Sequence, residues 1–305
     1  MQSRRPLDAK ALAIMVALCA IIGTQQVAIK LAAQDMAPIF LVGIRSGLAA
    51  IALLVIIGLR NEGRALFSAN AWPGALAGAL FGIEFLLFAE GLRFTSAAHM
   101  AIFLYTGPIF AALCLHLRFV EERLIGLQWL GIGTAFVGIV LAFSGRIEAN
   151  SHDLTWLGDL YGLAAGVAFG ATTLVIRASR LSTAPAAVTL WYQLMGGFIV
   201  ATAGAVILGQ TQVSVTPALI MNLAYQSLII STLAYIIWFS MLRTYLVSRI
   251  GLLSLMTPMF GIAFGWLMLN EALTLHFLAG AALVVMGIVL VSGRERRSEQ
   301  GKNEA

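Results

Sequence analysis

The chain is poor in charge. Asp, Glu, Lys and Arg make up only 11% of its 305 residues, against about 25% in an ordinary soluble domain. That leaves too little polar side chain to clothe a soluble protein of this length. Cysteine is scarce too. Cys19 and Cys114 both lie inside apolar runs, where a thiol packs as a small hydrophobe, so no disulfide framework is expected. The histidines His99, His116, His152 and His276 are scattered, and no Cys/His cluster has metal-ligand spacing. Gly-x-Ser-x-Gly, His-Glu-x-x-His and Walker motifs are all missing, and the breaks between apolar runs are too short for a soluble catalytic domain. These absences argue against an enzyme, a resident metal or cofactor, and a nucleotide-driven pump.

Apolar side chain is abundant. Hydrophobic residues make up 60% of the sequence, more than a soluble core can absorb, and lipid accepts the excess. The net charge of +5 does not signal a nucleic-acid partner, because the basic residues sit in short caps between apolar runs and form no continuous patch. About 20 apolar residues cross the hydrocarbon core as a helix. Ten runs meet or approach that length: 11–31, 38–58, 72–92, 96–117, 126–144, 156–177, 185–208, 217–242, 247–269 and 275–292. The first contains Gln25, Gln26 and Lys30 and lacks a small-residue cleavage site, so it reads as a permanent span and not a signal peptide. With the N-terminus placed in the cytoplasm, fifteen Lys and Arg residues fall in inner segments and three (Lys30, Arg93 and Arg146) in outer ones. That bias predicts an even number of spans with both termini cytoplasmic, in a bacterial-type inner membrane.

The sequence also repeats itself. Thr106-Gly-Pro108 precedes Glu122, Gly131 and Gly138, and Met256-Thr-Pro258 precedes Glu271, Gly280 and Gly287. The alignment offset is 150 from Leu92 to Pro108, 149 from Glu122 to Leu141, and 147 from Gly23 to Lys30. The expected fold is therefore an all-α membrane protein of ten transmembrane helices, with repeats over 1–148 and 149–305. Five spans is an odd number, so the second repeat is inverted. Inverted repeats recur in secondary transporters, with the site between the halves.

Leu92-Arg-Phe-Thr-Ser-Ala-Ala through Pro108 and Glu122-Arg-Leu, with Ser248-Arg-Ile-Gly through Pro258 and Asn270-Glu-Ala-Leu as the second copy, resemble the EamA repeats of the drug/metabolite transporter superfamily. The resemblance implies ten helices, a central cavity and export of metabolites. Where that family commonly has Trp before Gly in the first helix of each repeat, this chain has Ile22 and Phe169. Glu84 and Tyr105 match positions in exporters of neutral and aromatic amino acids.

Ionisable groups inside the bilayer are costly and usually functional or paired. Arg45, Glu84 and Glu90 stand out within predicted spans. Arg45 and Glu84 are at similar depth, which allows either a structural ion pair or a zwitterion site in which Glu84 holds an ammonium and Arg45 a carboxylate. Gln25, Gln26, His99, Tyr105, Trp191, Tyr192, Gln193, Tyr235 and Trp238 could line the cavity, where aromatic walls with a few amides suit a partly apolar amino acid. Pro108 and Pro258 lie mid-span in equivalent helices and read as hinges or fixed kinks. Glu122 and Glu271 read as caps of the helices that follow them. The glycines at 74, 78 and 82 and at 158, 162, 166 and 170 read as close-packing stripes. The function expected is a secondary transporter exporting small metabolites by alternating access. The partners are a small solute and the bilayer. The alternatives are a passive facilitator or channel and an exporter of other metabolites or drugs, with a membrane-embedded enzyme ranked below both and a monomer as the working state.

Overall fold

Apolar runs with no water to bond must satisfy their backbone internally, and they do so as helices. The computed structural model describes residues 9–66, 71–120, 123–144, 154–245, 253–254 and 256–292. Glu122, His152, Arg249 and the expected repeat boundary at 148–149 lie outside these residues.

The helices are α1 Ala9–Gly23, α2 Gln25–Ala32, α3 Pro38–Leu59, α4 Ala71–Gly91, α5 Ala97–Leu104, α6 Gly107–Arg118 and α7 Gly126–Ser144. There follow α8 Thr155–Ala178, α9 Ala186–Ile207, α10 Pro217–Ala224, a π-helical segment Tyr225–Ala234, α11 Tyr235–Thr244, α12 Met256–Leu269 and α13 Leu275–Ser292. Among the described residues, seven helical stretches are long and apolar enough to cross a membrane, and three shorter apolar helices accompany them at 126–142, 256–269 and 275–290. Among the described residues there is no β-sheet; an isolated bridge joins Met36 to Val213.

Two of the expected continuous spans are broken. The first parts at Thr24, between α1 and α2. The fourth parts at Tyr105–Thr106, between α5 and α6. Pro108 explains the second break: its ring clashes with the carbonyl four residues back, which is Leu104, the last residue of α5. Proline is then well placed in the first turn of α6. Pro108 thus stands near a helix start and not at a mid-helix kink; Pro258 lies in α12, three residues after a position outside the described residues.

Packing follows the repeat. α3 lies along α9 and α7 along α13, each pairing a helix with its repeat counterpart. α4 packs on α8 and α9, and α6 on α8; correspondingly, α12 packs on α1 and the π segment on α3 and α1. The glycine stripes set the closest approaches. A Cβ at Gly78 would stand 2.3 Å from the Tyr192 carbonyl oxygen, and one at Gly166 would stand 2.7 Å from Thr106 Oγ1. Large apolar side chains such as Trp72, Leu117, Ile207 and Leu275 are exposed on the outside of the bundle, as lipid contact requires.

Candidate functional site

The loops at 33–37, 92–96, 208–216 and 270–274 meet at one end of the bundle. Lys30, Ala37, Arg93, Gln210 and Glu271 share an open cleft of about 610 Å³ there. Its polar groups largely satisfy one another. Glu271 Oε1 accepts the Ala97 N–H at 2.7 Å and Oε2 the Ala98 N–H at 3.0 Å, and Lys30 Nζ lies 3.6 Å from Oε1. Glu90, close to the same end, pairs with Arg93 at 2.7 Å. Glu271 therefore caps α5, not the helix that follows it. The dipole argument is sound, but the N-terminus it serves belongs to the other half of the chain. Asn270, at φ 52°, turns the chain out of α12 in the left-handed region that Asn tolerates, and Gly265 leaves room for the carboxylate. Glu271→Ala strands two amide donors at a cost of about 1–3 kcal/mol each. A clear loss of melting temperature is expected in detergent, and Glu271→Asp, one methylene short, should not restore it. An unchanged melting point for Glu271→Ala would remove the clamp.

A second buried cluster supports the same helix. Asp159 is fully buried; it accepts the Thr95 hydroxyl and lies 3.2 Å from His99 Nδ1. The His99 ring stacks on Phe277 at 4.0 Å. His99 is thus a packed, partnered histidine and does not line the cavity described next. Asp159 is the buried acid that hydropathy does not single out: it is the fifth residue of α8, past the first turn.

The smaller cavity, about 210 Å³, lies in the interior. Its wall comprises Ile22, Gln25, Gln26, Glu84, Phe85, Leu104, Tyr105, Pro108, Phe169, Tyr235, Trp238, Ser254 and Thr257. Gln25, Gln26, Glu84, Tyr105, Tyr235 and Trp238, expected as cavity residues, are on this wall, and Pro108, expected as a hinge, is there too. Arg45, His99, Gln193 and Pro258 are not on the wall. Three pairs of repeat-equivalent positions are: Ile22 with Phe169 at offset 147, and Phe85 with Tyr235 and Leu104 with Ser254 at offset 150. The cavity therefore sits where the two copies face each other. The same offsets, applied to Phe85 and Leu104, are the sequence signal that could have found the rest of the wall.

Three side chains on the wall carry unpartnered polar atoms. Gln25 and Gln26 are each 3% exposed and Glu84 4%, and Gln25 Oε1, Gln26 Oε1 and Glu84 Oε2 have no hydrogen-bond partner. Buried polar atoms without partners are destabilising, so such a cluster marks a place reserved for something else.

Arg45 and Glu84 do not form the ion pair their depths allow. Arg45 Nη1 donates to Gln226 Oε1 at 2.8 Å, and its guanidinium lies over the Phe85 ring at 5.0 Å. The relay continues from Gln226 Nε2 to Asn222 Oδ1 at 3.2 Å and from Asn222 Nδ2 to the Ala28 carbonyl at 2.8 Å. Rotation about the α3 axis aims Arg45 at the π segment, and depth alone does not determine that rotation. Gln226→Leu leaves a buried cation without its acceptor, at about 1.5–3 kcal/mol. The double variant Arg45→Met/Gln226→Leu is expected to be more stable than Gln226→Leu alone. Thermal unfolding that shows strictly additive losses would contradict this relay.

Two stretches of the chain, residues 9–144 and 156–293, match the model of the EamA-like transporter family. The chain belongs to that family. An uncharacterized transporter of Bacillus subtilis, YoaV, is 20% identical over 269 residues, covering 88% of this chain and 91% of the relative. A probable amino-acid metabolite efflux pump of Escherichia coli is 28% identical over 284 residues, covering 88% and 90% respectively. A solved crystal structure of 17% identity superposes with a TM-score of 0.66, over 96% of this chain and all of its own; at that identity it speaks for the fold alone. Members of this family are integral membrane transporters, and the apolar helices of this chain agree with that.

Proposed function

We propose that this EamA-family protein is a secondary transporter that exports small neutral or aromatic amino acids, or closely similar metabolites, by alternating access. It works as ten spans in two inverted five-helix repeats, with both termini in the cytoplasm of a bacterial-type inner membrane. The observation that carries this reading is the interior cavity with its unpartnered Glu84, Gln25 and Gln26 beneath aromatic walls. A carboxylate and two amides offer bonds to a zwitterion, and Phe85, Tyr105, Tyr235 and Trp238 offer an apolar surface for its side chain. At about 210 Å³ the space is smaller than the roughly 300–1,000 Å³ of drug-sized pockets, which favours a small metabolite over a large drug. The named function of the Escherichia coli relative points the same way. The matched packing of repeat counterparts supports the two-fold arrangement, and Glu271 clamping α5 supports a carrier closed at one end over a passive channel.

Hinge motion would use the chain breaks. Pro108 stands beside the break between α5 and α6 and Pro258 at the equivalent position of α12, where missing N–H groups ease bending. Alanine at both positions is expected to slow turnover more than it weakens binding; an unchanged turnover number would reduce them to packing residues. The function itself is tested with purified protein in liposomes and a panel of labelled solutes, with and without a pH gradient. Saturable movement of leucine-, methionine- or phenylalanine-like solutes, accelerated by counter-substrate, is the expected result. Movement of nucleotide sugars or organic cations but of no amino acid would sink the substrate assignment.

A further inference from the structure

We propose that the interior cavity is a primary-ammonium site: Gln25, Gln26 and Glu84 receive the N–H groups of the substrate, no cation receives its carboxylate, and small apolar amines bind at least as tightly as the amino acids they resemble. The proposal rests on the reading of this cavity as the substrate site and narrows recognition to the amine end of the molecule.

The wall offers a negative group and no positive one. Glu84 stands on it, and among the described wall residues there is no Lys, Arg or His. Arg45 is 2% exposed and is not a wall residue. Its Nη1 donates to Gln226 at 2.8 Å, and its guanidinium lies over the ring of Phe85, which is on the wall. A carboxylate that enters the cavity therefore meets a like charge and no cation, and an unpaired carboxylate is costly to take out of water. An ammonium meets its opposite charge.

Hydrogen bonding points the same way and does not depend on the charge. Gln25 and Gln26 are each 3% exposed and Glu84 4%. Gln25 Oε1, Gln26 Oε1 and Glu84 Oε2 are buried without partners. All three atoms are acceptors, so they cannot satisfy one another and call for a donor. A primary ammonium brings three N–H donors with its positive charge, as the lysine head group does. A quaternary ammonium brings the charge without a donor, and a carboxylate brings neither.

The three acceptors come from one repeat. The positions equivalent to Gln25 and Gln26 at offset 147 are Thr172 and Thr173. Their hydroxyls donate back to the Ala168 and Phe169 carbonyls at 2.9 and 3.0 Å, and neither residue is on the wall. Glu84 has Ala234 as its counterpart at offset 150. The second repeat contributes Phe169, Tyr235, Trp238, Ser254 and Thr257 to the wall and no Asp, Glu, Lys, Arg or His. The first repeat thus binds the amine, and the aromatic side chains of the second offer the apolar tail its surface.

The test is calorimetric titration of the full chain in lipid nanodiscs with four ligands of one shape. L-leucine carries both charged groups, 3-methylbutylamine lacks the carboxylate, 4-methylpentanoate lacks the amine, and trimethyl(3-methylbutyl)ammonium keeps the positive charge without an N–H. Wild type should bind 3-methylbutylamine at least as tightly as leucine. The trimethyl compound should bind at least about tenfold more weakly than 3-methylbutylamine, the scale of a lost hydrogen bond to a charged group. Gln25→Leu and Gln26→Leu each remove an acceptor. Each should weaken 3-methylbutylamine about tenfold and leave the trimethyl compound within about twofold, whereas general damage to the fold lowers both. If either variant fails to fold, the wild-type ligand series decides. Titrations in sodium and potassium buffers should agree; amine binding that differed between them would give the acceptors to a metal ion and overturn the proposal. Tighter binding of leucine than of 3-methylbutylamine overturns it too and leaves the amino-acid reading standing, as does equal affinity for 3-methylbutylamine and the trimethyl compound. Binding of neither leucine nor 3-methylbutylamine overturns both.

Discussion

Glu84→Gln is expected to lower leucine flux in liposomes about 10- to 100-fold, with the protein still present in the membrane at its normal level. The substitution keeps the shape of the side chain and removes its charge. Glu84 is the only acidic residue on the described cavity wall, and its Oε2 has no hydrogen-bond partner. A charged hydrogen bond to an ammonium is worth about 1.5–3 kcal/mol, and each 1.4 kcal/mol is tenfold. Folding should suffer little, because among the described residues no cation within 4 Å depends on the carboxylate: Arg45 donates to Gln226 instead. For the same reason the effects of Glu84→Gln and Arg45→Met on stability should add, as they do for sites without a shared bond. Flux within twofold of wild type for Glu84→Gln would remove Glu84 from the substrate's path.

The largest loss of stability is expected from Gly196→Ala. A Cβ at Gly196 would stand 1.9 Å from the carbonyl oxygen of Gly78 and 2.1 Å from its carbon. Both obstacles are backbone, so no rotamer change relieves them, and α4 and α9 would have to move apart. Without a hydrophobic force between helices in lipid, close backbone packing holds such pairs together. Overpacking typically costs about 1–3 kcal/mol, and a collision with backbone belongs at or above the top of that range. Gly58→Ala is the control, since nothing lies within 4 Å of a Cβ there; it should fall within about 0.5 kcal/mol of wild type. Equal melting temperatures for the two variants would contradict the close α4–α9 contact.

Much of the cavity could be read from the sequence because lipid makes polar residues conspicuous. Glu84, Gln25, Tyr105, Tyr235 and Trp238 stand out as polar or amphipathic side chains in apolar runs, and all of them line the wall. What depth in the membrane cannot supply is rotation about a helix axis. Arg45 and Glu84 match in depth, yet Arg45 faces the π segment, and His99 faces Asp159 and Phe277. Glu271 was legible as a cap but not as the cap of α5, because that choice depends on which helix starts lie nearby in three dimensions. The break at Thr24 carries no proline. Its neighbour Gly23 abuts Phe260 and Thr257 of α12, a tertiary contact that a local pattern does not contain. The π segment is similarly silent in the sequence; Thr232 Oγ1 donates to the Ser227 carbonyl within it at 2.8 Å.

Solute binding in the interior cavity beside Glu84 is tested most directly by a cryo-electron microscopy structure of the full chain in nanodiscs with saturating L-leucine. Ligand density is expected inside the cavity, with its amine beside Glu84. Density only in the open cleft beside Lys30 and Glu271, with the interior cavity unchanged, would contradict it.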